Sequence, residues 1–316
     1  MSKSLTAARA LGGLAALAAT AAFAEERSVR IPAYRPAIGQ EVAYRLSVEA
    51  QVDTHGAVEG AGGALKAEMI DRLAVISSSA EGYKMRWRLE PCRNAGSAIC
   101  DLHREKLESY GFDGIVVETN RNGAIQKIEQ LDAIKRNVDA RLAGLTNPHD
   151  PLRPKLTALQ AELAADPLAP AATIAPPARL FADAQLDREQ DFELNAPQIK
   201  DEMAQIGGKP APVKITNVVT ADLSGRTATF TQTKSYDAES YAAAQQATIH
   251  ESLAHLQERY PEISERQLAQ LSTASLTVTT KIRLSLDDGT TLFAEETVDN
   301  RIGPLFLKNV LRATRE

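Results

Sequence analysis

The side chains of this chain that are best suited to chemistry are those of five histidines and two cysteines. The histidines are His55, His103, His149, His250 and His255. His250 and His255 come nearest to a metal-binding motif, but a zinc-binding helix carries histidines four residues apart, about 40° around the axis. A spacing of five residues separates them by about 140°. We therefore predict no metal site and interpret both as polar surface residues of an amphipathic helix.

Known catalytic and cofactor motifs are absent from the sequence. There is no Gly-x-Ser-x-Gly elbow and no Ser-x-x-Lys, and the glycine-rich stretch at 55–63 lacks phosphate-loop spacing. Paired acidic residues occur at 287–288 and 295–296. We interpret the first pair as part of a turn, and the side chains of the second pair must point to opposite faces of a strand. We predict no catalytic residue, no cofactor-binding residue and no cofactor.

Cys92 and Cys100 flank a turn-like segment, Asn94 to Ser97. Their even number and close spacing predict a disulfide that closes a small loop, whereas a redox site more often has Cys-x-x-Cys spacing. Such a loop stabilises by roughly 2–3 kcal/mol in the chain-entropy model. Two free thiols, a metal-binding pair and a redox site are the alternatives.

The N-terminus has the layout of a secretory signal peptide. Lys3 and Arg9 precede an uncharged apolar run from Leu11 to Ala22, and small residues stand at Ala22 and Ala24. The run is short for a membrane span. We predict a signal peptide at 1–24, cleavage between Ala24 and Glu25, and a mature chain in the periplasm or secreted, without a transmembrane segment. An uncleaved N-terminal anchor is the alternative.

The bulk composition excludes one class of partner. The chain has 316 residues, a formal net charge of −5 and ordinary proportions of hydrophobic and charged residues. A net negative chain offers no general basic surface, so we predict no nucleic-acid partner. The oligomeric state is not predicted.

Strand-like alternation dominates the elements that would position any site. Apolar residues occupy every second position at 42–52, 83–89 and 276–286, except for Thr280, with mostly polar residues between them. A period of two indicates strands with one buried and one wet face, and such sheets are usually antiparallel. Hairpin turns are predicted at Asn122–Gly123, at 222–225 and at 287–289.

Helical stripes accompany these strands at 131–145, 156–163 and 237–260. We therefore predict an α+β fold, with an antiparallel, curved β-sheet and several amphipathic helices packed on one face. A β-rich N-terminal half at 25–165 ends in helices, a Pro/Ala-rich linker or loop follows at 166–180, and a β/α C-terminal half occupies 181–316. Alternatively, the two halves form one continuous domain.

A curved sheet covered by helices can leave an apolar cavity between its layers. In this plan the chain resembles the half-barrels of bacterial lipoprotein carriers, without any shared residue motif. The resemblance implies an exported, non-enzymatic cell-envelope protein that binds a lipid or another apolar or amphipathic ligand.

Three other hypotheses remain open at this point. If the sheet–helix interface is fully packed, the protein is an envelope scaffold or binds an envelope protein. An exported hydrolase would assemble its site from dispersed carboxylates and histidines. A disulfide oxidoreductase would use Cys92 and Cys100.

Overall fold

The structure is a computed structural model that describes residues 28–53, 63–92, 97–206, 209–259, 261, 264 and 272–316. The predicted signal peptide, with its cleavage site between Ala24 and Glu25, lies outside the described residues and stays a prediction. Among the helices of the described ranges, none has both the length and the apolar character needed to cross a bilayer.

Strands make up nearly half of the described chain. They are β1 (Ser28–Ile31), β2 (Glu41–Asp53), β3 (Gly63–Ser78), β4 (Gly82–Leu89), β5 (Gly114–Asn120), β6 (Ile125–Ile128), β7 (Gln190–Glu193), β8 (Gln198–Ile206), β9 (Lys209–Asp222), β10 (Thr227–Tyr236), β11 (Ala274–Ser285), β12 (Thr291–Ile302) and β13 (Leu305–Arg315). The helices are α1 (Ala98–Tyr110), α2 (Leu131–Ala143), α3 (Leu152–Ala165), α4 (Ala169–Ile174), α5 (Pro176–Ala182), α6 (Ala238–Ala244) and α7 (Gln246–Arg259).

Eleven of the strands form one antiparallel sheet, in the order β6-β5-β4-β3-β2-β13-β12-β11-β10-β9-β8. β2 to β6 follow one another as a meander, and so do β8 to β13. The two meanders join where β2 pairs with β13. The sheet is not closed, because β6 and β8 are its edges. The predictions of an antiparallel sheet and of a mixed α and β fold are confirmed.

The strand alternation in the sequence corresponds to alternating burial in β2 and β4. Tyr44 and Leu46 are buried, whereas Arg45 between them is exposed. Trp87 is buried between two exposed arginines. One face of these strands therefore meets the core and the other meets solvent, as the period of two predicts.

The predicted hairpin turns at 122–123, 222–225 and 287–289 are all present. The first joins β5 to β6, the second β9 to β10 and the third β11 to β12. Gly123 and Gly289 have φ values of 84° and 69°. A Cβ at Gly289 would lie 2.7 Å from the carbonyl oxygen of Pro32, so both conformation and space favour glycine there.

The segment at 166–180 differs from the predicted linker or loop. It contains α4 and most of α5, and Ile174 and Leu180 are fully buried. Both helices have proline in their first turn, where the missing N–H costs no hydrogen bond. The division into halves at 25–165 and 181–316 stays a prediction, although a single sheet takes strands from both.

Two hydrophobic clusters hold the described elements together. The larger cluster unites side chains from β2 to β6 and β9 to β13 with residues of α1 to α5, among them Tyr110, Ile134, Leu163, Ile174 and Phe181. The smaller cluster joins Tyr241 of α6 and Ile249 of α7 to Ala274 and Ile302.

Charged side chains bridge four neighbouring strands on the opposite face of the sheet. Glu49 of β2 lies 3.4 Å from Lys66 of β3 and 3.3 Å from Arg312 of β13. Arg312 also lies 2.6 Å from Glu295 of β12. These pairs are partly solvated, so each contributes at most about 1 kcal/mol.

Candidate functional site

An apolar pocket of about 360 Å³ lies between α1 and the neighbouring ends of β3 and β4. We call it the α1 pocket. The described residues that line it are Met69, Arg88, Leu89, Glu90, Pro91, Cys92, Cys100, Asp101, His103, Arg104, Leu107, Glu108 and Asp113. Its volume falls within the roughly 300–1,000 Å³ that is typical of small-molecule sites.

Two contacts attach the start of α1 to the sheet, and a glycine ends the helix. A disulfide joins Cys100 of α1 to Cys92, which follows β4, with 5.6 Å between their Cα atoms. The hydroxyl of Ser97 donates to the carbonyl oxygen of Lys66 in β3 over 2.9 Å. Gly111 ends the helix in a left-handed conformation, and its N–H donates to Leu107. The predicted disulfide is thus confirmed, and it forms part of the pocket wall.

The inner surface of the pocket is apolar, while its rim carries ion pairs. Met69 and Leu89 are almost completely buried, and Leu107 packs against the same hydrophobic cluster. At the rim, Arg88 lies 3.0 Å from Asp113, and charged side chains of α1 form further pairs. This division between apolar interior and polar rim suits an amphipathic ligand.

His103 on α1 has an unsatisfied nitrogen atom. Its Nδ1 is buried and has no hydrogen-bond partner. Burial lowers the pKa of His103, and the charge of Lys106 lowers it further. The imidazole is therefore neutral near pH 7.

Asp71 of β3 is completely buried, and neither carboxylate oxygen has a hydrogen-bond partner. Burial raises the pKa of Asp71 well above its usual range, and the backbone N–H of Arg72 opposes the shift without meeting hydrogen-bond geometry. In the sheet, Asp71 is directly opposite Leu89 of β4 and Tyr44 of β2. Leu89 lines the α1 pocket, so Asp71 is the cross-strand neighbour of one residue of the pocket wall.

Three aromatic rings pack together, and one of them belongs to Tyr44, the cross-strand neighbour of Asp71. Tyr44 lies 6.4 Å from Trp87 and 4.7 Å from Phe181 of α5, measured between ring centroids. The hydroxyl of Tyr44 donates to the carbonyl oxygen of Thr291 over 3.1 Å. Nε1 of Trp87 is buried without a hydrogen-bond partner. We call Tyr44, Trp87 and Phe181 the aromatic cluster.

A second, smaller cleft of about 190 Å³ lies over β9, β10 and β11. Phe192 and Phe230 form its apolar part, with ring centroids 5.0 Å apart. Asn217, Gln232 and Thr280 supply polar groups. A wider opening of about 460 Å³ beside Arg30 is lined mainly by polar surface. The α1 pocket is larger than the cleft over β9 to β11, and two of its lining residues, Met69 and Leu89, are neighbours of Asp71 in the sheet.

The structure disperses the residues that the sequence singled out for chemistry. His149 and His250 are exposed at separate places, and His103 lies in the α1 pocket. His55 and the side chain of His255 lie outside the described part of the chain. Among the residues that the structure describes, no three His, Cys, Asp or Glu side chains converge in a way that could hold a metal ion.

The acidic pairs occupy turn and strand positions. Glu295 pairs with Arg312, whereas Glu296 pairs with Arg179 of α5 at 2.7 Å, so the two carboxylates do not act together. The side chain of Asp288 accepts from the backbone N–H and the hydroxyl of Thr290, within the turn before β12.

Sequence reasoning missed α1 and Asp71. Asp71 occupies an apolar phase of β3, where Ala67, Met69, Leu73 and Val75 are its same-face neighbours. A lone carboxyl group in an apolar alternation was the signal that could have identified it. For α1, the signal was a run of helix-forming residues that ends at Gly111.

Comparison with known proteins adds no functional assignment, since no family model matches the chain and no curated protein sequence matches it significantly.

Proposed function

We propose that the protein is an exported cell-envelope protein that binds an apolar or amphipathic molecule in the α1 pocket, without catalysing a reaction. The observation that carries this proposal is an apolar cavity of about 360 Å³ beside buried polar groups of Asp71 and His103 that lack partners. Apolar walls with a few polar groups are typical of ligand sites. The disulfide is compatible with an oxidising compartment.

The architecture that we propose for this function is a curved sheet with the helices on one face. Phe181 of α5 contacts Tyr44 and Trp87, and Tyr241 of α6 donates to Asn300 of β12. Strand register places Tyr44, Trp87 and Asn300 on the same side of the sheet. Helices from the middle and from the C-terminal part of the chain would then cover one surface, with cavities at the gaps between them.

In this arrangement the ligand occupies only one part of the space between the sheet and the helices. The aromatic cluster fills the space between α5 and the middle of the sheet, so the proposed ligand occupies the α1 pocket at one end of the helical layer. A scaffold role without a ligand is the competing form of the proposal.

The alternative of an exported hydrolase receives no comparable support. It would need His103 to act with a nearby carboxylate such as Asp101 or Glu108, within hydrogen-bond reach. Nδ1 of His103 is buried without such a partner, and Asp101 pairs with Arg104 at 2.7 Å.

The first test measures binding of N-phenyl-1-naphthylamine, a neutral apolar dye that fluoresces in apolar surroundings. We expect the wild-type protein to bind it, and we expect Leu107→Trp to weaken binding at least tenfold because the larger side chain fills the pocket. Leu102→Trp is the matched control, since Leu102 is 57% exposed on the same helix and does not line the pocket.

Two results would contradict the proposal. Equal binding by Leu107→Trp and wild type would place the dye elsewhere, and no binding by wild type would favour the scaffold role. Native mass spectrometry of detergent-free protein from the exported fraction tests the compartment. We expect a mass for residues 25–316 less two hydrogens, together with a bound molecule that denaturation releases.

A further inference from the structure

The position of Asp71 limits what the α1 pocket can bind. Asp71 and Met69 lie two residues apart on β3 and point to the same side of the sheet. Met69 and Leu89 line the pocket, and Leu89 is the direct cross-strand neighbour of Asp71. Asp71 therefore adjoins two of the side chains that line the pocket, although it does not line the pocket itself.

The side chain of Met69 is suited to moving so that the α1 pocket reaches Asp71. Its unbranched side chain has three rotatable bonds and adapts to irregular spaces more readily than a branched side chain. A rotamer change at Met69 would extend the α1 pocket along β3 as far as Asp71.

The surroundings of Asp71 suit a positive charge. Both carboxylate oxygens are buried and lack donors, and a buried carboxylate is stable only with a partner. The neighbouring Tyr44 and Trp87 present aromatic rings, whose faces attract cations within about 6 Å. A carboxyl group beside aromatic rings is the combination that recognises organic ammonium groups.

The arginine side chains nearest to Asp71 on β3 and β4 do not serve as its partner. Arg72, the next residue of β3, points to the opposite face and pairs with Glu41 and Glu90. Arg88 of β4 likewise points away and pairs with Asp113.

We propose that the α1 pocket binds an apolar amine, with its hydrocarbon part between α1 and the sheet and its ammonium group at Asp71 beside Tyr44 and Trp87. This inference rests on the proposed function and specifies the ligand class. An anionic amphiphile with the same hydrocarbon part as the amine is disfavoured, because its head group would bring a second acidic group to Asp71.

The test compares three probes with the same chain length, dodecylamine, 1-dodecanol and dodecanoate, each below its aggregation concentration at pH 7. Their affinities are measured by displacement of N-phenyl-1-naphthylamine. We expect dodecylamine to bind wild type at least tenfold more tightly than dodecanol, and dodecanoate to bind most weakly.

Two variants separate Asp71 from general surface charge. Asp71→Asn keeps the shape of the side chain, and we expect it to reduce the preference for the amine to less than threefold. Glu118→Gln removes an exposed carboxyl group of β5 that does not line the pocket, and we expect it to retain the preference.

The possible failures are distinguishable. If wild type binds dodecylamine and dodecanol equally, or if Glu118→Gln abolishes the preference as Asp71→Asn does, the amine proposal is wrong while the pocket stands. If none of the probes binds, the proposed function fails as well. If Asp71→Asn does not fold, the fluorescence of the wild-type protein is measured instead. Trp87 is the only tryptophan, and its emission wavelength should shift when dodecylamine binds but not when dodecanol binds. Equal shifts with both probes would overturn the proposal.

Discussion

Asp71 shows how a single buried group can determine both stability and recognition. Its carboxyl group is removed from water without gaining a hydrogen bond. In this setting the neutral form is favoured, because an isolated buried charge costs far more than a buried neutral carboxyl group. Burying this carboxyl group is unfavourable at a position where leucine or methionine would pack without the same penalty. Ionisable groups with strongly shifted pKa values are typical of functional sites.

At the residue scale, we predict that Asp71 makes the protein less stable as the pH rises. The pKa of Asp71 is raised in the folded state, whereas in the unfolded chain it is about 3.9. Below pH 4 both states are protonated. Above pH 4 the unfolded state loses its proton first, so the free energy of unfolding falls by up to about 1.4 kcal/mol per pH unit until the folded pKa is reached.

This prediction is checked by urea unfolding of wild type and Asp71→Asn between pH 3.5 and 7. The free-energy difference between the two proteins isolates Asp71, and it should shift in favour of the variant as the pH rises. Asp113→Asn, which removes an exposed ion pair with Arg88, should change stability by less than about 1 kcal/mol. A difference between wild type and Asp71→Asn that does not change with pH would contradict the prediction.

At the element scale, α1 depends on its disulfide because few other contacts fix its first turn. Cys100 is buried in that turn and is bonded to Cys92 at the end of β4. Ser97, which precedes the helix, has no side-chain cap hydrogen bond. The covalent bond therefore positions the part of α1 that closes the pocket.

We predict that replacing both cysteines by alanine lowers the free energy of unfolding by about 2–3 kcal/mol, the value of the chain-entropy model for so short a loop. Dye binding should weaken as well, because the first turn of α1 loses its attachment. Denaturant midpoints and dye titration measure the two effects. Reduced wild type should behave like the double variant, and unchanged binding in both would show that the disulfide does not shape the pocket.

At the scale of the whole molecule, the pairing of β2 with β13 unites the two meanders. Ala313 of β13 is fully buried between Leu46 of β2 and Ala294 of β12, which are also fully buried. These three side chains form a closely packed row in the middle of the sheet. Disturbing this row should therefore affect both halves of the chain.

We predict that Ala313→Asp lowers the unfolding midpoint seen by Trp87 fluorescence and by circular dichroism to the same extent. The variant buries an unpaired carboxyl group, which should cost about 3 kcal/mol or more. Thr314→Asp is the matched control, since Thr314 is the exposed neighbour on the other face of β13. If Trp87 fluorescence kept its midpoint while the circular dichroism midpoint fell, the halves would unfold separately.

Several features of the fold could be predicted because their causes are local. Alternation at 42–52 and 83–89 predicts strands, and Asn122–Gly123 predicts a hairpin, in which Gly123 has a positive φ. The disulfide followed from the spacing of Cys92 and Cys100. These signals depend on only a few neighbouring residues, so they can be recognised without knowing which elements pack together.

Other features could not be predicted, because the composition of these segments suggests loops whereas the structure packs them against the core. Proline and alanine at 166–180 resemble a linker, but α4 and α5 use proline at their first turns and bury Ile174 and Leu180. The stretch at 25–39 is rich in polar residues, yet Ile31 and Tyr34 are buried. In both segments, contact with the core overrides the local preference.

The sequence by itself determined the strand periodicity, the hairpin turns and the spacing that allows a disulfide, because each depends on chain geometry over short distances. Only the tertiary structure decided that β2 pairs with β13, that α1 forms one wall of a pocket, and that Asp71 lies beside the aromatic cluster. Residues 46 and 313 become neighbours only when the two meanders meet. The carboxyl group of Asp71 loses its water only when the tertiary structure buries it, and it gains Tyr44 as a neighbour only when β2 pairs with β3.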